Sequence, residues 1–215
     1  NQNNDEDFER FDIDEYYPEE ALEEYEKARR ASTDINYLNM ESVPGLESIT
    51  NDDFLSALFG NTFNVVHPLV CKKPGDPDLG GWPANKWPCK TDLPAMNWYA
   101  QPGMYQPDET GRYRAKKKLT VSVHAVMVDD VGTKVSPGQF ANCPPSWIIE
   151  SSPGNYQYGY ILAEPITELE VADTLKEHLI KAGLCDSGAT GGTARWMRLP
   201  VGINGRPKYG EPSPK

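Results

Sequence analysis

A stretch of apolar residues that ends in two adjacent acids constrains this chain most. Residues 119–128 form an apolar run with β-branched residues in its first half, which predicts a buried β-strand. Asp129 and Asp130 follow directly, and Gly132 and Lys134 come next. Adjacent carboxylates at the end of a core strand repel each other, and partial burial raises the cost of ionising them. The pattern fits a divalent cation held by both acids, and it also fits an ordinary strand-end turn in water.

The net charge of −11 is unusual for a protein that binds nucleic acid, but it is distributed unevenly. Residues 1–30 contain 12 acids and 4 bases, so the remainder carries 20 acids and 17 bases. We therefore predict an acidic, partly helical arm at residues 1–50 and local basic patches elsewhere. The arm could mimic DNA, dock on a basic partner or be a solvated tail. Unchanged affinity for DNA at low salt after deletion of residues 1–30 would rule out mimicry.

A basic segment lies immediately before the predicted strand. Five of its seven residues are bases: Arg112, Arg114, Lys116, Lys117 and Lys118. A run of this kind is either a solvated face or a set of phosphate contacts. Because it leads into the strand that ends at Asp129, we predict that it binds nucleic acid.

The remaining patterns indicate a mixture of short strands and helices. Thr50 precedes a short amphipathic helix that stops at Gly60. Residues 147–150 and 156–162 predict two strands around a tight turn. A capping-box pattern at residues 167–170 predicts a second amphipathic helix. The fold class expected from these elements is α+β.

Several features argue against other classes of protein. The loop at residues 185–192 lacks the G-x-x-x-x-G-K pattern of a phosphate-binding loop, so no ATPase motor is visible. His67, Cys71 and Cys89 lack a fourth ligand and a common zinc spacing. The four cysteines form no C-x-x-C pair, which is typical of reduced thiols in a cytosolic compartment. We expect no membrane span, because no run of about 18 apolar residues occurs.

Three separated strings of sequence carry a resemblance to a known family. They are MVDDVG at residues 127–132, SPGNYQ at residues 152–157, and Asp186 followed by RWMRLPVGIN at residues 195–204. In this order and spacing they resemble the archaeo-eukaryotic primase superfamily, most closely the RepB-type primase and primase-polymerase domains of phages and plasmids. The similarity covers roughly residues 60–210.

The resemblance implies a fold and an activity. The expected fold is an RRM-like antiparallel sheet with packed helices over residues 51–210, followed by a tail at residues 211–215. The expected activity is that of a DNA primase or primase-polymerase, which synthesises primers on single-stranded DNA from nucleoside triphosphates with Mg²⁺ or Mn²⁺. A helicase domain or protein is a candidate partner, and the implied location is the cytoplasm of a bacterial host.

The resemblance also implies roles for the acids and for one amide. Asp129, Asp130 and Asp186 would be the catalytic metal ligands, since these metals prefer hard oxygen donors. Gln157 stands where many superfamily members have a histidine. It is therefore expected to donate a hydrogen bond to a phosphate or sugar rather than to transfer a proton.

Positively charged side chains are needed to balance a triphosphate. The resemblance implies that Arg195 and Arg198 face the nucleotide or the primer strand. Lys134 and Ser152 are further candidates for nucleotide contact, although a surface lysine and a turn residue would show the same pattern. Trp196 could stack on a base or could belong to the core.

Two other functions remain open on the sequence alone. The first is a binding module in which the same core grips single-stranded DNA or RNA without metal. The second is a different palm-like nucleotidyl enzyme or a nuclease with the same acids. His124 shares the strand with Asp130 but lies six positions away, which disfavours the nuclease. The primase and the palm-like enzyme or nuclease would each lose activity in Asp129→Ala with the fold intact. The binding module would change little.

Overall fold

The described part of the chain is a mixed α/β structure with a curled antiparallel sheet and two helices. A computed structural model describes residues 49–91, 93, 95–186, 195–209 and 213–214. The acidic arm expected at residues 1–50 lies outside these ranges except for its last two residues. No helix within the described ranges has the length and apolar character needed to cross a bilayer.

Two helices and nine strands follow one another along the described ranges. In chain order they are α1 (Asn51–Phe59), β1 (His67–Lys73), β2 (Asn85–Lys86), β3 (Asn97–Tyr105), β4 (Thr120–Val131), β5 (Trp147–Ser152), β6 (Asn155–Ile166), α2 (Leu169–Lys181), β7 (Met197–Arg198), β8 (Ile203–Asn204) and β9 (Ser213–Pro214). The sheet has the order β2-β1-β3-β4-β6-β5, and β7 joins it by pairing with β3. Strands β8 and β9 form a separate two-stranded ribbon, in which β8 belongs to the domain expected at residues 51–210 and β9 to the tail expected at residues 211–215.

The sheet opens between its two central strands, and β7 enters the opening. Strand β3 pairs with β4 only from Gly103 to Tyr105, and it pairs with β7 at Tyr99 and Ala100. A Cβ on Gly103 would lie 2.5 Å from the carbonyl oxygen of Ser122, so the two backbones touch there. Because β3 and β4 separate beyond this contact, β7 can reach the middle of the sheet.

Helix α1 confirms the sequence prediction for its region. Thr50 and Asp53 form a reciprocal capping box, and the helix ends at Gly60 with a φ of +72°. Leu55 and Leu58 of the helix are buried in the main apolar cluster of the sheet. The other buried members of that cluster are Val70, Trp87, Trp98, Ala100, Ala125, Met127, Met197 and Leu199.

Helix α2 exists as predicted, but its expected capping box is wrong. The N-cap residue is Glu168, which makes no side-chain capping bond, and the helix begins at Leu169. The helix contacts the sheet through Lys176, whose Nζ donates to the Met127 carbonyl oxygen at 2.8 Å. Leu179 packs against a second apolar cluster. Tertiary contacts with β4 therefore set the position of this helix.

Gly159 on strand β6, two positions after Gln157, has no free space beside it. A Cβ added to Gly159 would lie 1.9 Å from the indole of Trp147 on the neighbouring strand β5. The indole itself packs edge-on against Phe54 of α1, with ring centroids 5.2 Å apart. Gly159 therefore makes room for a core aromatic residue and not for a ligand.

Substitution of Gly159 should reveal this packing. We expect Gly159→Ala to lower the free energy of unfolding by about 1–3 kcal/mol, because the new methyl group displaces the Trp147 indole. Urea denaturation followed by tryptophan fluorescence measures the change. Gly81→Ala is the matched control, since a Cβ there meets nothing within 4 Å. Equal stability of the two variants would contradict the packing.

Candidate functional site

The two adjacent acids occupy a bulge inside the last part of strand β4. The strand pairs regularly with β6 from Ala125 to Val128 and pairs again at Val131, and the register shifts between Val128 and Val131. Asp129 and Asp130 together therefore oppose the single residue Gln157. Bulges of this kind redirect side chains and are common beside active sites. The acids lie within the strand, not beyond its end as the sequence suggested.

The backbone of Asp130 folds the following turn back over the bulge. Its φ of +61° is the one positive value among the described non-glycine residues, and aspartate is one of the few residue types that adopt this conformation readily. Its carbonyl oxygen accepts N–H bonds from Thr133, Lys134 and Val135 at 3.3, 2.9 and 3.1 Å. The turn therefore returns Lys134 to the carboxylate of Asp130.

One ammonium group joins two of the three predicted metal ligands. Lys134 Nζ lies 2.9 Å from an oxygen of Asp130 and 3.1 Å from an oxygen of Asp186. The lysine side chain is 59% exposed, whereas the two carboxylates are 20% and 15% exposed. Two acids that are 56 positions apart in the sequence are thus brought around one positive charge.

The third acid is paired with an arginine from another part of the chain. Arg195 Nη2 lies 2.8 Å from Asp129 Oδ2, and both side chains are mostly buried. The other oxygen of this carboxylate accepts the Asp130 backbone N–H at 3.0 Å. Arg195 reaches this position because it precedes β7, the strand that enters the opening of the sheet. The structure therefore brings Asp129, Asp130, Asp186, Lys134 and Arg195 into one charged group.

The surroundings hold the pKa of the Asp130 carboxyl below its usual value. Burial raises this pKa, but the hydrogen bonds from Lys134 and Asn155 lower it by more, and the charges of Lys134 and Arg195 add to the lowering. The same ion pairs raise the pKa of the Lys134 ammonium. Asp130 and Lys134 are consequently both charged at neutral pH.

Asn155 is a member of the site that sequence reasoning missed. Its Nδ2 donates to Asp130 Oδ1 at 2.9 Å, and its Oδ1 accepts a bond from the Thr133 hydroxyl at 2.9 Å. The sequence marked this residue only as part of a turn. Gly132 allows the contact, because a Cβ at this position would lie 2.6 Å from the Gly154 carbonyl oxygen. The signal was the asparagine itself, which has a donor and an acceptor for two partners.

Gln157 and Arg198 lie in the interior and hold the strands together. The Arg198 backbone N–H donates to Gln157 Oε1 at 2.9 Å, and both residues are less than 7% exposed. The Arg198 guanidinium contacts the side chains of Asn97 and Asn204 at 3.4 and 3.2 Å and lies over the Tyr99 ring. Their observed role is to fix β7, and nucleotide contact by either residue stays a prediction.

Ser152 also has a structural environment. It is 7% exposed at the hairpin between β5 and β6, where it pairs with Asn155. Its hydroxyl bonds to the hydroxyl of Tyr209, and this bond is the main cause that lowers the pKa of Tyr209. A turn residue was the alternative that the sequence left open, and phosphate contact by Ser152 stays a prediction.

The basic segment lies at the other end of β4 from the acids. Thr120 and Asp129 are separated by roughly 30 Å of extended strand. All five bases are exposed, and two of them form ion pairs, Arg114 with Asp108 and Lys117 with Asp173. The other three, which make no ion pair within the described ranges, are Arg112, Lys116 and Lys118. A nucleic acid that contacts both regions must therefore extend along the sheet.

The carboxylates of the charged group are donors of the type that a divalent ion requires. Among the described residues, no three histidine, cysteine, aspartate or glutamate side chains are arranged as a preformed metal site. Asp130 and Asp186 nevertheless already surround one cation, the Lys134 ammonium, and their oxygens are the donors that Mg²⁺ and Mn²⁺ prefer. The donor set therefore fits a divalent ion once the lysine moves away from the carboxylates.

Comparisons with known proteins add one structural similarity. No family model matches the sequence, and no curated protein matches it. Among solved structures, the chain is similar to the AEP domain of the primase-polymerase of cyanophage S-2L, with 14% sequence identity and a TM-score of 0.47. The match covers 68% of this chain and 78% of that chain.

Removal of the Lys134 ammonium should raise the pKa of Asp130. In the folded wild type this pKa is lowered, so the carboxylate stabilises the fold above the unfolded pKa of about 3.9, and this contribution is lost as the pH falls through the folded value. We expect Lys134→Gln to shift the NMR titration of the Asp130 carboxyl upward. Lys72→Gln, an exposed lysine on β1, should leave the titration unchanged. An unchanged titration in Lys134→Gln would show that the ion pair is absent in solution.

Proposed function

We propose that residues 51–210 form the catalytic domain of a DNA primase or primase-polymerase with an RRM-like core. The proposed substrates are nucleoside triphosphates, a single-stranded DNA template and Mg²⁺ or Mn²⁺. The proposed setting is the cytoplasm of a bacterial host, and a helicase domain or protein is the proposed partner. One observation carries the proposal, which is the convergence of three acids and two cations around the bulge of β4.

The charges of this group suit the transfer of a nucleotidyl group. Three carboxylates lie around the bulge, although repulsion between their charges costs free energy. Costly arrangements of ionisable groups are common at functional sites. Asp129, Asp130 and Asp186 would hold the divalent ions. Ions bound there would stabilise the attacking and leaving oxygens of an in-line displacement.

The two cations would act on the triphosphate. The Lys134 ammonium is more than half exposed on a flexible side chain, so it can turn from the carboxylates to a phosphate oxygen. Arg195 presents a planar fork of donors, which matches the geometry of phosphate oxygens. Gln157 and Arg198 would act indirectly, because they hold the strand that positions Arg195.

A binding module without catalysis is the second candidate. It is favoured by the ion pairs themselves, since each of the three acids already contacts Lys134 or Arg195. In such a module the acids and cations would only stabilise the end of β4. The exposed basic segment before that strand would then provide most of the binding free energy through phosphate contacts.

Primer synthesis on single-stranded DNA distinguishes the two candidates. We expect the full chain to form short products from labelled nucleotides in the presence of Mg²⁺ or Mn²⁺. The variants Asp129→Asn and Asp130→Asn should each lower the rate by about 100-fold or more, the scale on which loss of one group that stabilises transition-state charge acts. Asparagine is chosen because it tolerates the positive φ at position 130.

Glu109→Gln is the matched control for these variants. Glu109 is an exposed acid outside the site, so its substitution should leave the rate unchanged. Circular dichroism would confirm that all variants keep the fold. If the wild type makes no product but still shifts single-stranded DNA, the binding module replaces the primase. If product forms equally in all variants, the acids have no part in the chemistry.

A further inference from the structure

Trp82 is an exposed tryptophan near the charged group, and packing within the fold does not explain its exposure. Trp82 lies in the loop between β1 and β2 and is 43% exposed, whereas Trp87 and Trp98 are each 2% exposed. Large aromatic rings are usually covered, and an exposed one often marks a binding surface. The surroundings of Trp82 indicate what it binds.

Trp82 is held in a fixed orientation by its buried side. Its ring is edge-on to Tyr99, with centroids 4.8 Å apart, and it stacks on Trp196 at 6.1 Å with planes inclined by 17°. The ammonium of the buried Lys73 lies 4.3 Å from its centroid. The ring is therefore preorganised, which lowers the entropic cost of binding a flat ligand to its exposed part.

The loop that carries Trp82 is fastened to the sheet at two further points. Asn97 Nδ2 donates to the Gly75 carbonyl oxygen at 2.7 Å. Arg206 forms a bidentate ion pair with Asp78, with the shortest contact at 2.9 Å. Because Arg206 balances this acid, the loop does not present an unpaired Asp78 carboxylate to an anionic ligand.

Trp196 connects Trp82 to the charged group. It follows Arg195, the residue paired with Asp129. It also packs against a third apolar cluster, whose buried members are Leu69, Tyr105 and Leu119. Trp196 thus contacts both Trp82 and this cluster, and Arg195 beside it is paired with Asp129.

The basic segment packs on the same third cluster. Tyr113 and Ala115 face the cluster, whereas Arg112, Arg114 and Lys116 are exposed. Lys86 Nζ lies 5.8 Å from the Tyr113 ring and adds another exposed cation. An aromatic surface beside a row of cations is the arrangement by which proteins bind single-stranded nucleic acids.

We propose that the exposed part of the Trp82 ring stacks on an unpaired base of single-stranded DNA that runs from the charged group to the basic segment. The inference rests on the proposed function, because the strand would be the template of that reaction. It assigns base contact to Trp82 and phosphate contact to Arg112 and Lys116.

Binding of two oligomers tests this assignment without any chemistry. One is a fluorescent oligothymidylate, and the other is an abasic oligomer of the same length and charge. We expect Trp82→Ala to weaken binding of the oligothymidylate by about 5- to 150-fold, the loss expected for one stacked base. Binding of the abasic oligomer should not change. Trp82→Phe should restore most of the affinity, because it keeps an aromatic face.

Leu79→Ala is the matched control, since Leu79 lies in the same loop and is 70% exposed. It should bind both oligomers as the wild type does. Arg112→Ala combined with Lys116→Ala should weaken both oligomers and reduce the dependence of affinity on salt. Equal affinities of Trp82→Ala and Leu79→Ala for oligothymidylate would overturn the proposal. So would a wild type that binds the two oligomers equally.

The outcome is independent of primer synthesis, because the binding assay contains neither metal nor nucleotide. A chain that stacks bases but makes no primers would remove the primase proposal and leave the Trp82 site. If the chain makes primers but Trp82→Ala binds the oligothymidylate as tightly as the wild type, the Trp82 site is removed and the primase proposal stays.

Discussion

The one-residue bulge in β4 is the constraint on which the rest of the site depends. In a regular strand, Asp129 and Asp130 would point to opposite faces of the sheet. The extra residue and the positive φ of Asp130 direct the following turn back, which brings Lys134 onto the carboxylate. The bulge thus brings two acids that are adjacent in the sequence into the charged group with Lys134.

The opening of the sheet brings Arg195 into the charged group. Because β3 and β4 separate after a short contact, β7 reaches the strand opposite the bulge, where Gln157 binds its backbone. This places Arg195 beside Asp129 and Trp196 beside Trp82. Two buried amide and guanidinium groups, Gln157 and Arg198, therefore serve the site by holding a strand of only two residues.

Much of the fold was predictable from local patterns, and less of the site was. The capping box of Thr50 and the strand before Asp129 depend on neighbouring residues, so they could be recognised. The bulge, the burial of Arg198 and the indole over Gly159 depend on which strands become neighbours, and no local pattern encodes this. The capping box expected at residues 167–170 was wrong, because the N-cap residue is Glu168 and its side chain makes no capping bond.

The most direct test of the account is a Mn²⁺ titration of the full chain, followed by NMR of the carboxyl carbons and of the lysine ammonium groups. If the bulge gathers the acids for a divalent ion, the signals of Asp129, Asp130 and Asp186 will broaden before those of other acids. The Lys134 ammonium will at the same time lose its contact with the carboxylates. If Mn²⁺ broadens other acids first and leaves the ion pairs of Lys134 intact, the charged group is structural and the account is contradicted.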